Sequence, residues 1–255
     1  METKNNIEYS ELKPDISLSD FVKCFWRFNN ISSARYDSII LPDGCFDIIV
    51  EIRDYKIQNI LLTGLWTNQI DISVAGNTVL FGIRFKLLSV EYILQQNISS
   101  IVNNSQIIGS DFWNINSLIT LDFTLFCNHI TTKLISIVGD GKGTNNRKVQ
   151  LFNNLYHTNG SSTVLEYANI ASWSSRQINR YFSNKFGLSL KAYCNILKVF
   201  ASLSDVKKGK LFPEQNYFDQ SHFIKEVRKH TGVKPKELSD NKNDRFLQLL
   251  TMSEK

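Results

Sequence analysis

The stretch TVLEYANIASWSSRQINRYF, residues 163–182, decides the fold of the second half of the chain. It predicts two short helices joined by a tight turn, with the second helix beginning at Ser174. Thr163 with Glu166, and Ser174 with Gln177, have the spacing of capping boxes, in which two side chains satisfy each other's backbone N–H groups. Two capped helices this close together are typical of a helix-turn-helix unit.

The second of these helices has two distinct faces. Ile178 and Phe182 are four residues apart, so they lie on one apolar face. Arg176, Asn179 and Arg180 share another face, and guanidinium and amide groups best match guanine and adenine edges in the major groove of DNA. The alternative is an ordinary amphipathic helix whose polar face is merely solvated.

The charge of the chain is divided unevenly. Residues 1–146 hold 11 Lys/Arg against 15 Asp/Glu, a balance of −4, and residues 147–255 hold 18 against 9, a balance of +9. A basic half attached to an acidic half predicts a polyanionic partner for the basic one. A Lys-rich surface that is only solvated remains the alternative.

Composition places the chain among soluble globular proteins. Its 255 residues suffice for one large domain or two of ordinary size, and 42% are hydrophobic and 21% charged. The chain has no long apolar run that would span a membrane, and its N-terminus is polar and acidic, unlike a signal peptide. Scattered cysteines without a CxxC pair indicate buried free thiols, so we expect a cytoplasmic protein.

The first half is predicted to be rich in β-strands and the second to be helical, which together give an α+β fold. Pro42-Asp43-Gly44 is a strong turn signal between two strands. Short strands at this spacing favour a barrel or a sandwich, and the pattern becomes helical from 90 to 138. Residues 139–146, GDGKGTNN, hold no apolar side chain and predict a linker. The strands are expected at 38–41, 46–52, 60–65 and 79–87.

The second half repeats one helix design. Gly187 is placed to end the helix of Ile178 and Phe182 in the left-handed conformation, and Ser189 to cap a long helix from 190 to about 206. Further on, Asp219 is a natural N-cap, Phe223 and Val227 repeat the apolar pair, and Gly232 repeats the terminating glycine. The anchors Ile178 and Phe223 are 223 − 178 = 45 residues apart.

Residues 149–238 resemble the DNA-binding domain of AraC-type (AraC/XylS) bacterial transcription regulators, in both halves of that domain. Residues 14–105 also resemble the N-terminal domain of one AraC-type subgroup, through the stretches 41–45 and 81–85; that domain is cupin-like and has no generally assigned ligand. The matching residues are Ala168, Ser174, Arg176, Ile178, Arg180, Phe182, Gly187, the run 217–223, Thr231, Gly232 and Pro235.

The resemblance implies a domain plan and a set of DNA contacts. Residues 1–138 would be a sensing or dimerisation domain, 139–148 a linker, 149–240 the DNA-binding domain and 241–255 a tail. Two recognition helices would enter successive major grooves about one DNA turn, roughly 34 Å, apart. The base-reading residues would be Arg176, Asn179 and Arg180 in the first groove and Gln220, Ser221, Ile224 and Lys225 in the second. The phosphate contacts would be Ser175, Lys185, Lys191 and Lys229.

The chain departs from the AraC pattern in its turns and in its second supporting helix. Ser172 and Asn216 stand where family members usually have glycine. The first unit gives about nine residues to its supporting helix, whereas the second offers only 211–215, with Pro213 inside. We therefore expect the second helix-turn-helix to be degenerate on its supporting side.

The sequence offers little for catalysis or for metal binding. His129 is the single histidine before the linker, so the two-histidine metal cluster of catalytic cupins cannot be built there. Asp43 and Asp47 could form a polar site, although an aspartate in a turn after proline is common. Three tryptophans could line a pocket or could simply pack in the core. They are Trp26, Trp66 and Trp113.

The sequence therefore predicts a transcription regulator that binds specific sequences of double-stranded DNA, and predicts neither an enzyme nor a cofactor. Its expected partners are operator DNA, a small organic effector and a second copy of the chain, with RNA polymerase as a further partner if the protein is an activator. No membrane partner is expected. The alternative is a small-molecule-binding or interaction protein whose helix-turn-helix domain has lost DNA binding.

Overall fold

The computed structural model of the chain has an α+β fold in which the strands come first and most of the helices follow. It describes residues 7–109, 111–117, 122–140, 143–212, 217, 219–241 and 245–251. This order of strands and then helices confirms the predicted fold class.

The strands form two antiparallel sheets. The larger has six strands in the order β1-β2-β7-β4-β5-β8, and the smaller pairs β3 with β6. The strands are β1 Ile7–Leu12, β2 Val22–Asn30, β3 Tyr36–Ile40, β4 Phe46–Arg53, β5 Lys56–Thr63, β6 Ile70–Val74, β7 Thr78–Phe85 and β8 Ser105–Ile107.

The first helix is a single turn between β7 and β8, and the other α-helices come after β8. Short 3-10 segments lie at Ile16–Leu18, Ser99–Ile101 and Phe112–Ser117. The α-helices are α1 Ser89–Tyr92, α2 Phe123–Asp140, α3 Asn146–His157, α4 Val164–Ile170, α5 Ser175–Phe186, α6 Leu190–Lys207, α7 Gln220–Thr231, α8 Pro235–Asp240 and α9 Leu247–Thr251.

The strands predicted at 38–41, 46–52, 60–65 and 79–87 are all present, with each bound within four residues of its expected position. β1, β6 and β8 were missed. β1 is an edge strand of largely polar residues, β6 alternates Ile with Asp and Ser, and β8 has only three residues, so each lacks a dense apolar run. Of the helical pattern predicted from 90 to 138, the described α-helices are the single turn α1 and the long helix α2.

Alternation along the central strand β4 separates the core from a cavity. Phe46, Ile48 and Val50 point into the main core, where they are almost fully buried. Asp47 and Ile49 point to the other side of the sheet and line a cavity. The two faces follow from the period of two along a strand.

The main core continues from the large sheet into the first helix pair. Besides the sheet it includes the buried faces of α2, α3, α4 and α5 and the start of α6. Tyr193 of α6 donates a hydrogen bond to the carbonyl oxygen of Gly44, at 2.9 Å, in the turn before β4. The predicted linker 139–148 overlaps two helices at its ends. α2 extends to Asp140, and α3 begins at Asn146 after its N-cap Asn145.

A second core joins the other helix pair to the small sheet. Ile39 and Leu41, at the end of β3, pack with α6, α7, α8 and α9. The backbone N–H of Ile39 donates to the carbonyl oxygen of Arg245 at 2.9 Å, which fixes the segment before α9 beside β3. The supporting helix discussed at 211–215, with Pro213, and the turn residue Asn216 lie largely outside the described residues.

Candidate functional site

The helix α5 begins at a rigid N-terminus, as the sequence predicted. The Ser174 N–H donates to Oε1 of Gln177 at 2.8 Å, and the Gln177 N–H donates back to Oγ of Ser174 at 3.2 Å. The supporting helix α4 has the same reciprocal pair between Thr163 and Glu166. Both capping boxes are therefore confirmed, and they hold the two helices of the unit at defined starting points.

The two faces of α5 are also those expected. Ile178 and Phe182 are completely buried, whereas Ser175, Arg176 and Arg180 are exposed. Within the described part of the chain neither of these guanidinium groups has an ion-pair partner, so both are available to an external ligand.

Asn179 differs from its two arginine neighbours because its amide is already engaged. Its Nδ2 donates to the carbonyl oxygen of Ser175 at 2.9 Å, and its Oδ1 accepts from the backbone N–H of Leu190 at 3.3 Å. The side chain thus ties α5 to the first residue of α6. A base contact by Asn179 stays a prediction, and it would require the amide to exchange at least one of these bonds.

The helix α7 repeats the design of α5. Asp219 accepts a hydrogen bond from the His222 N–H at 2.8 Å and so caps the helix, and Phe223 and Val227 are completely buried. The exposed side of α7 carries the residues predicted to read the second groove. Of these, Gln220, Ser221 and Lys225 are exposed and Ile224 is half-buried.

The helices α5 and α7 both end against the strand-rich first part of the chain. Gly187 and Gly232 take the left-handed conformation, with φ of 77° and 74°, as predicted. The Ile98 N–H donates to the carbonyl oxygen of Lys185 at 3.0 Å. Nδ1 of His230 lies 2.5 Å from the carbonyl oxygen of Thr67. The C-terminal ends are therefore fixed on the strand-rich residues 7–109, here called the β-domain, and most of the residues predicted to read bases lie nearer the opposite ends.

The residues predicted to contact phosphates are spread over both units. Ser175, Lys191 and Lys229 are exposed, and Lys185 is half-buried. Ser175 is the first residue of α5 and Lys191 the second residue of α6, and helix N-termini favour anions. Their contacts with DNA stay predictions.

A cavity of about 300 Å³ lies between the two sheets of the N-terminal domain. Its walls are mainly apolar, with side chains from both sheets, and two residues of α9 close one side. Trp26 and Trp66 line it, whereas Trp113 packs edge-on against Phe85 of the core. Of the three tryptophans considered from the sequence, two therefore line a pocket and one packs in the core.

A polar cluster on the large sheet forms one wall of this cavity. Trp26 donates from Nε1 to Oδ1 of Asp47 at 2.7 Å, and Nε of Arg84 lies 3.2 Å from the same oxygen. Gly82 permits the arrangement, because a Cβ there would lie 1.8 Å from the Trp26 indole. The guanidinium carbon of Arg84 lies 5.8 Å from the centre of a Trp26 ring.

Asp43 and Lys23 extend the cluster. Oδ2 of Asp43 lies 3.5 Å from Nε of Arg84 and 3.6 Å from Nζ of Lys23, and it accepts no hydrogen bond. Burial opposes ionisation of Asp43, but the two cations outweigh it and lower the pKa of this carboxyl group. For Asp47 burial dominates, and its pKa is raised although Arg84 is close. The predicted polar site of Asp43 and Asp47 is thus present in the fold.

The cysteines are free and buried, as the sequence predicted. Burial raises the pKa of the Cys45 thiol to about 12, so it is protonated at neutral pH and a poor nucleophile. Among the described residues, no three His, Cys, Asp or Glu side chains lie close enough to hold a metal ion. In that same part of the chain, none of the helices is long and apolar enough to cross a membrane.

Sequence reasoning missed the other polar residues of the cavity. Arg84 and Glu51 stand in strand runs where they look like ordinary outward-facing charges, and Gln248 stands in the tail. The available signal was alternation, since Asp47 and Glu51 share one face of β4. The contact between Asp47 and Arg84 depends on the pairing of β4 with β7, which places these two residues opposite each other.

Comparison with known proteins gives one partial family match and weak structural likenesses. A family described as a domain of unknown function (DUF6597) matches residues 10–106. No curated protein matches the chain in sequence. ToxT from Vibrio cholerae O395 aligns over 97% of this chain and 98% of its own, with 9% identity and a TM-score of 0.42. Wild-type ToxT of strain SCE256, bound to unsaturated fatty acid, aligns over 94% and 97%, with 11% identity and a TM-score of 0.39.

Proposed function

We propose that the protein is a transcription regulator of the AraC type that binds double-stranded DNA in a sequence-specific manner. In this proposal α5 and α7 are the recognition helices, α6 joins them, and each enters the major groove with its N-terminal half. The cavity of the β-domain holds a small organic effector. The cupin-like description of this domain, and the reading of two successive grooves, stay predictions within the proposal.

The observation that carries the proposal is the repeated construction of α5 and α7. Each helix has a side-chain N-cap, a completely buried apolar pair four residues apart, and a left-handed glycine at its end. Each also leaves its first residues exposed and polar. Each helix is thus packed along one face and fixed at its C-terminus, and its N-terminal half is exposed. This arrangement suits insertion into a DNA groove.

Charge supports a polyanionic partner for this surface. The half of the chain that holds both helices has a balance of +9, and Arg176 and Arg180 are exposed on the reading face of α5. Arginine binds guanine with two parallel hydrogen bonds, which selects sequence, whereas exposed lysines neutralise phosphates and supply affinity.

The wider proposal follows the same reasoning. The protein would act in the cytoplasm of a bacterium, would not be an enzyme, and would contact RNA polymerase if it activates transcription. A homodimer would bind two half-sites. The cavity supports the effector. The hydrogen bonds of Lys185 with Ile98 and of His230 with Thr67 connect the ends of α5 and α7 to the β-domain, through which the effector would act on these helices.

The competing proposal is a small-molecule-binding or interaction protein whose helix-turn-helix domain has lost DNA binding. The observation that favours it is the short stretch available for the second supporting helix. α6 ends at Lys207 and α7 begins at Gln220, so this helix and both of its turns would have to fit between them.

Fluorescence anisotropy on the full chain separates the two. The ligands are duplexes tiling the region upstream of the protein's own gene, with shuffled duplexes of the same composition as reference. We expect one duplex to bind preferentially, the affinity to fall as salt rises, and the double variant R176A/R180A to lose the preference. Lys56→Ala, an exposed charge on the β-domain, is the matched control. Equal binding of all duplexes, or none, would favour the competing proposal.

A further inference from the structure

The cavity of the β-domain has an apolar interior of ligand size. Its volume of about 300 Å³ is at the lower end of the range for small-molecule sites. Most of its wall is leucine, isoleucine, valine and aromatic side chains, with the indoles of Trp26 and Trp66 among them. Such a wall favours a ligand with an aromatic or branched aliphatic body.

The charges on the wall are predominantly negative. Among the described residues of the wall, Asp43, Asp47 and Glu51 are acidic and Arg84 is basic. Lys23 contributes a second cation close to Asp43. Counting all five groups as ionised leaves one uncompensated negative charge, beside an apolar wall where charge interactions are stronger than in water.

The guanidinium of Arg84 is poorly placed to bind an anion. Its Nε lies 3.2 Å from Oδ1 of Asp47 and 3.5 Å from Oδ2 of Asp43, so its charge is already compensated. A carboxylate ligand brought to Arg84 would approach these two carboxylates as well. The repulsion would offset much of the attraction.

The carboxylates, in contrast, retain capacity for a donor. Oδ2 of Asp43 accepts no hydrogen bond, although Arg84 and Lys23 lie 3.5 and 3.6 Å from it, and the Asp43 side chain is only 10% exposed. Glu51 accepts one hydrogen bond, from Nδ2 of Asn59 to its Oε2, at 2.8 Å. A buried acceptor without a donor costs free energy, which a ligand N–H group can recover.

We propose that the ligand of this cavity is a protonated organic amine with an aromatic or branched aliphatic body. The ammonium group lies on the acidic side of the cavity, along the wall that carries Asp43, Asp47 and Glu51. The body packs on Trp26 and Trp66, whose faces also attract cations. The role of this amine as effector rests on the proposed function, whereas its binding does not, because binding is measured without DNA.

The experiment compares three probes of nearly equal size with different charge. They are 4-phenylbutylamine, 4-phenylbutanol and 4-phenylbutyrate, titrated into the full chain at neutral pH by calorimetry, with tryptophan fluorescence as a second measurement. We expect the amine to bind at least about tenfold more tightly than either of the others, because only it gains from the carboxylates. The substitutions R176A/R180A on α5 should leave the affinity for the amine unchanged.

Two variants locate the ammonium group. Asp47→Asn removes a charge at the centre of the cluster, and Glu51→Gln removes one at its edge with less risk to the fold. Each should reduce the affinity for the amine several-fold and leave that for the alcohol unchanged. Asp71→Asn is the control, because Asp71 is exposed on β6 between the cavity residues Ile70 and Ile72. Binding of none of the probes, tighter binding of the butyrate or the alcohol, or an amine affinity unaffected by Glu51→Gln would overturn the proposal.

Discussion

Gln248 and Leu41 are joined by two hydrogen bonds across 207 residues of sequence. Oε1 of Gln248 accepts from the Leu41 N–H at 2.8 Å, and its Nε2 donates to the Leu41 carbonyl oxygen at 2.9 Å. Gln248 also lines the cavity, and its neighbour Leu249 packs in the same core as Phe223 of α7. The helix α9 is therefore a physical connection between the cavity and α7.

Replacing Gln248 with alanine should destabilise the protein markedly. The change leaves the N–H and the carbonyl group of Leu41 unpaired, and both are in buried bonds. Because each buried polar group that loses its partner costs about 1–3 kcal/mol, we expect a loss of about 2–4 kcal/mol in the free energy of unfolding. Urea denaturation of the full chain, followed by circular dichroism, measures it.

Gln58→Ala is the matched control for this prediction. The amide of Gln58 also donates to two backbone carbonyl groups, those of Arg53 and Lys56, but it is exposed. Water replaces the lost bonds there, so the change should cost less than about 0.5 kcal/mol. Equal effects of the two substitutions would show that the Gln248 bonds do not hold α9.

The features predicted correctly from the sequence are those with local causes. The two capping boxes and the caps at Ser189 and Asp219 each depend on residues within three positions of one another. The terminating glycines Gly187 and Gly232 are likewise local, because only the preference for a left-handed backbone is needed. Such signals can be read along the chain without knowledge of the fold.

The features that were missed depend on distant pairing. The cavity cluster needs Asp47 and Arg84 to be neighbours across β4 and β7, which are 37 residues apart in sequence. The packing between the two halves is equally distant in sequence, because Tyr193 bonds to Gly44 and both cores combine residues from the two halves. No local pattern carries that information.

Ser172, in the turn between α4 and α5, should be improved by glycine. Its φ of 54° lies in the left-handed region, which is unfavourable for a residue with a Cβ. The relief of strain exceeds the extra entropy that glycine brings to the unfolded chain, so we expect Ser172→Gly to stabilise by about 0.5–1 kcal/mol. Thermal and urea denaturation measure the gain.

Ser204→Gly tests whether that gain is specific to the backbone conformation. Ser204 is exposed inside α6, where glycine is a poorer helix former, so this variant should be less stable by about 0.5 kcal/mol. A loss of stability in both variants would contradict the strain at Ser172.

Gly187 should tolerate alanine less well than Gly209. Both have a left-handed backbone, with φ of 77° and 82°, and each substitution costs about 1–2 kcal/mol for that reason. A Cβ on Gly187 would also lie 2.5 Å from Cγ2 of Val102 and 2.8 Å from the Ser99 carbonyl oxygen, whereas one on Gly209 meets nothing within 4 Å. Gly187→Ala should therefore cost about 1–3 kcal/mol more in urea denaturation. Equal losses would mean that the end of α5 is not held against the β-domain.

If the proposed function is right, α5 and α7 should differ in how they contribute to the preference for particular DNA sequences. The reading face of α5 carries Arg176 and Arg180, whereas among the predicted readers on α7 only Lys225 is charged. A bidentate arginine discriminates between bases by about 1–3 kcal/mol, while lysine acts more as a point charge. Arg180→Ala should thus weaken binding and relax the preference at one half-site, and Lys225→Ala should weaken binding to many sequences more evenly.

The comparison of Arg180→Ala with Lys225→Ala needs dissociation constants for both variants on a panel of operator point mutants at one fixed salt concentration. Fixed salt matters because the phosphate contribution shifts all affinities together and could otherwise imitate a change in preference. The diagnostic quantity is the spread of affinities over the panel, which should shrink for Arg180→Ala and stay nearly constant for Lys225→Ala. If Lys225→Ala removes the preference while Arg180→Ala preserves it, the roles are reversed, and α7 is the principal reader despite its single charge.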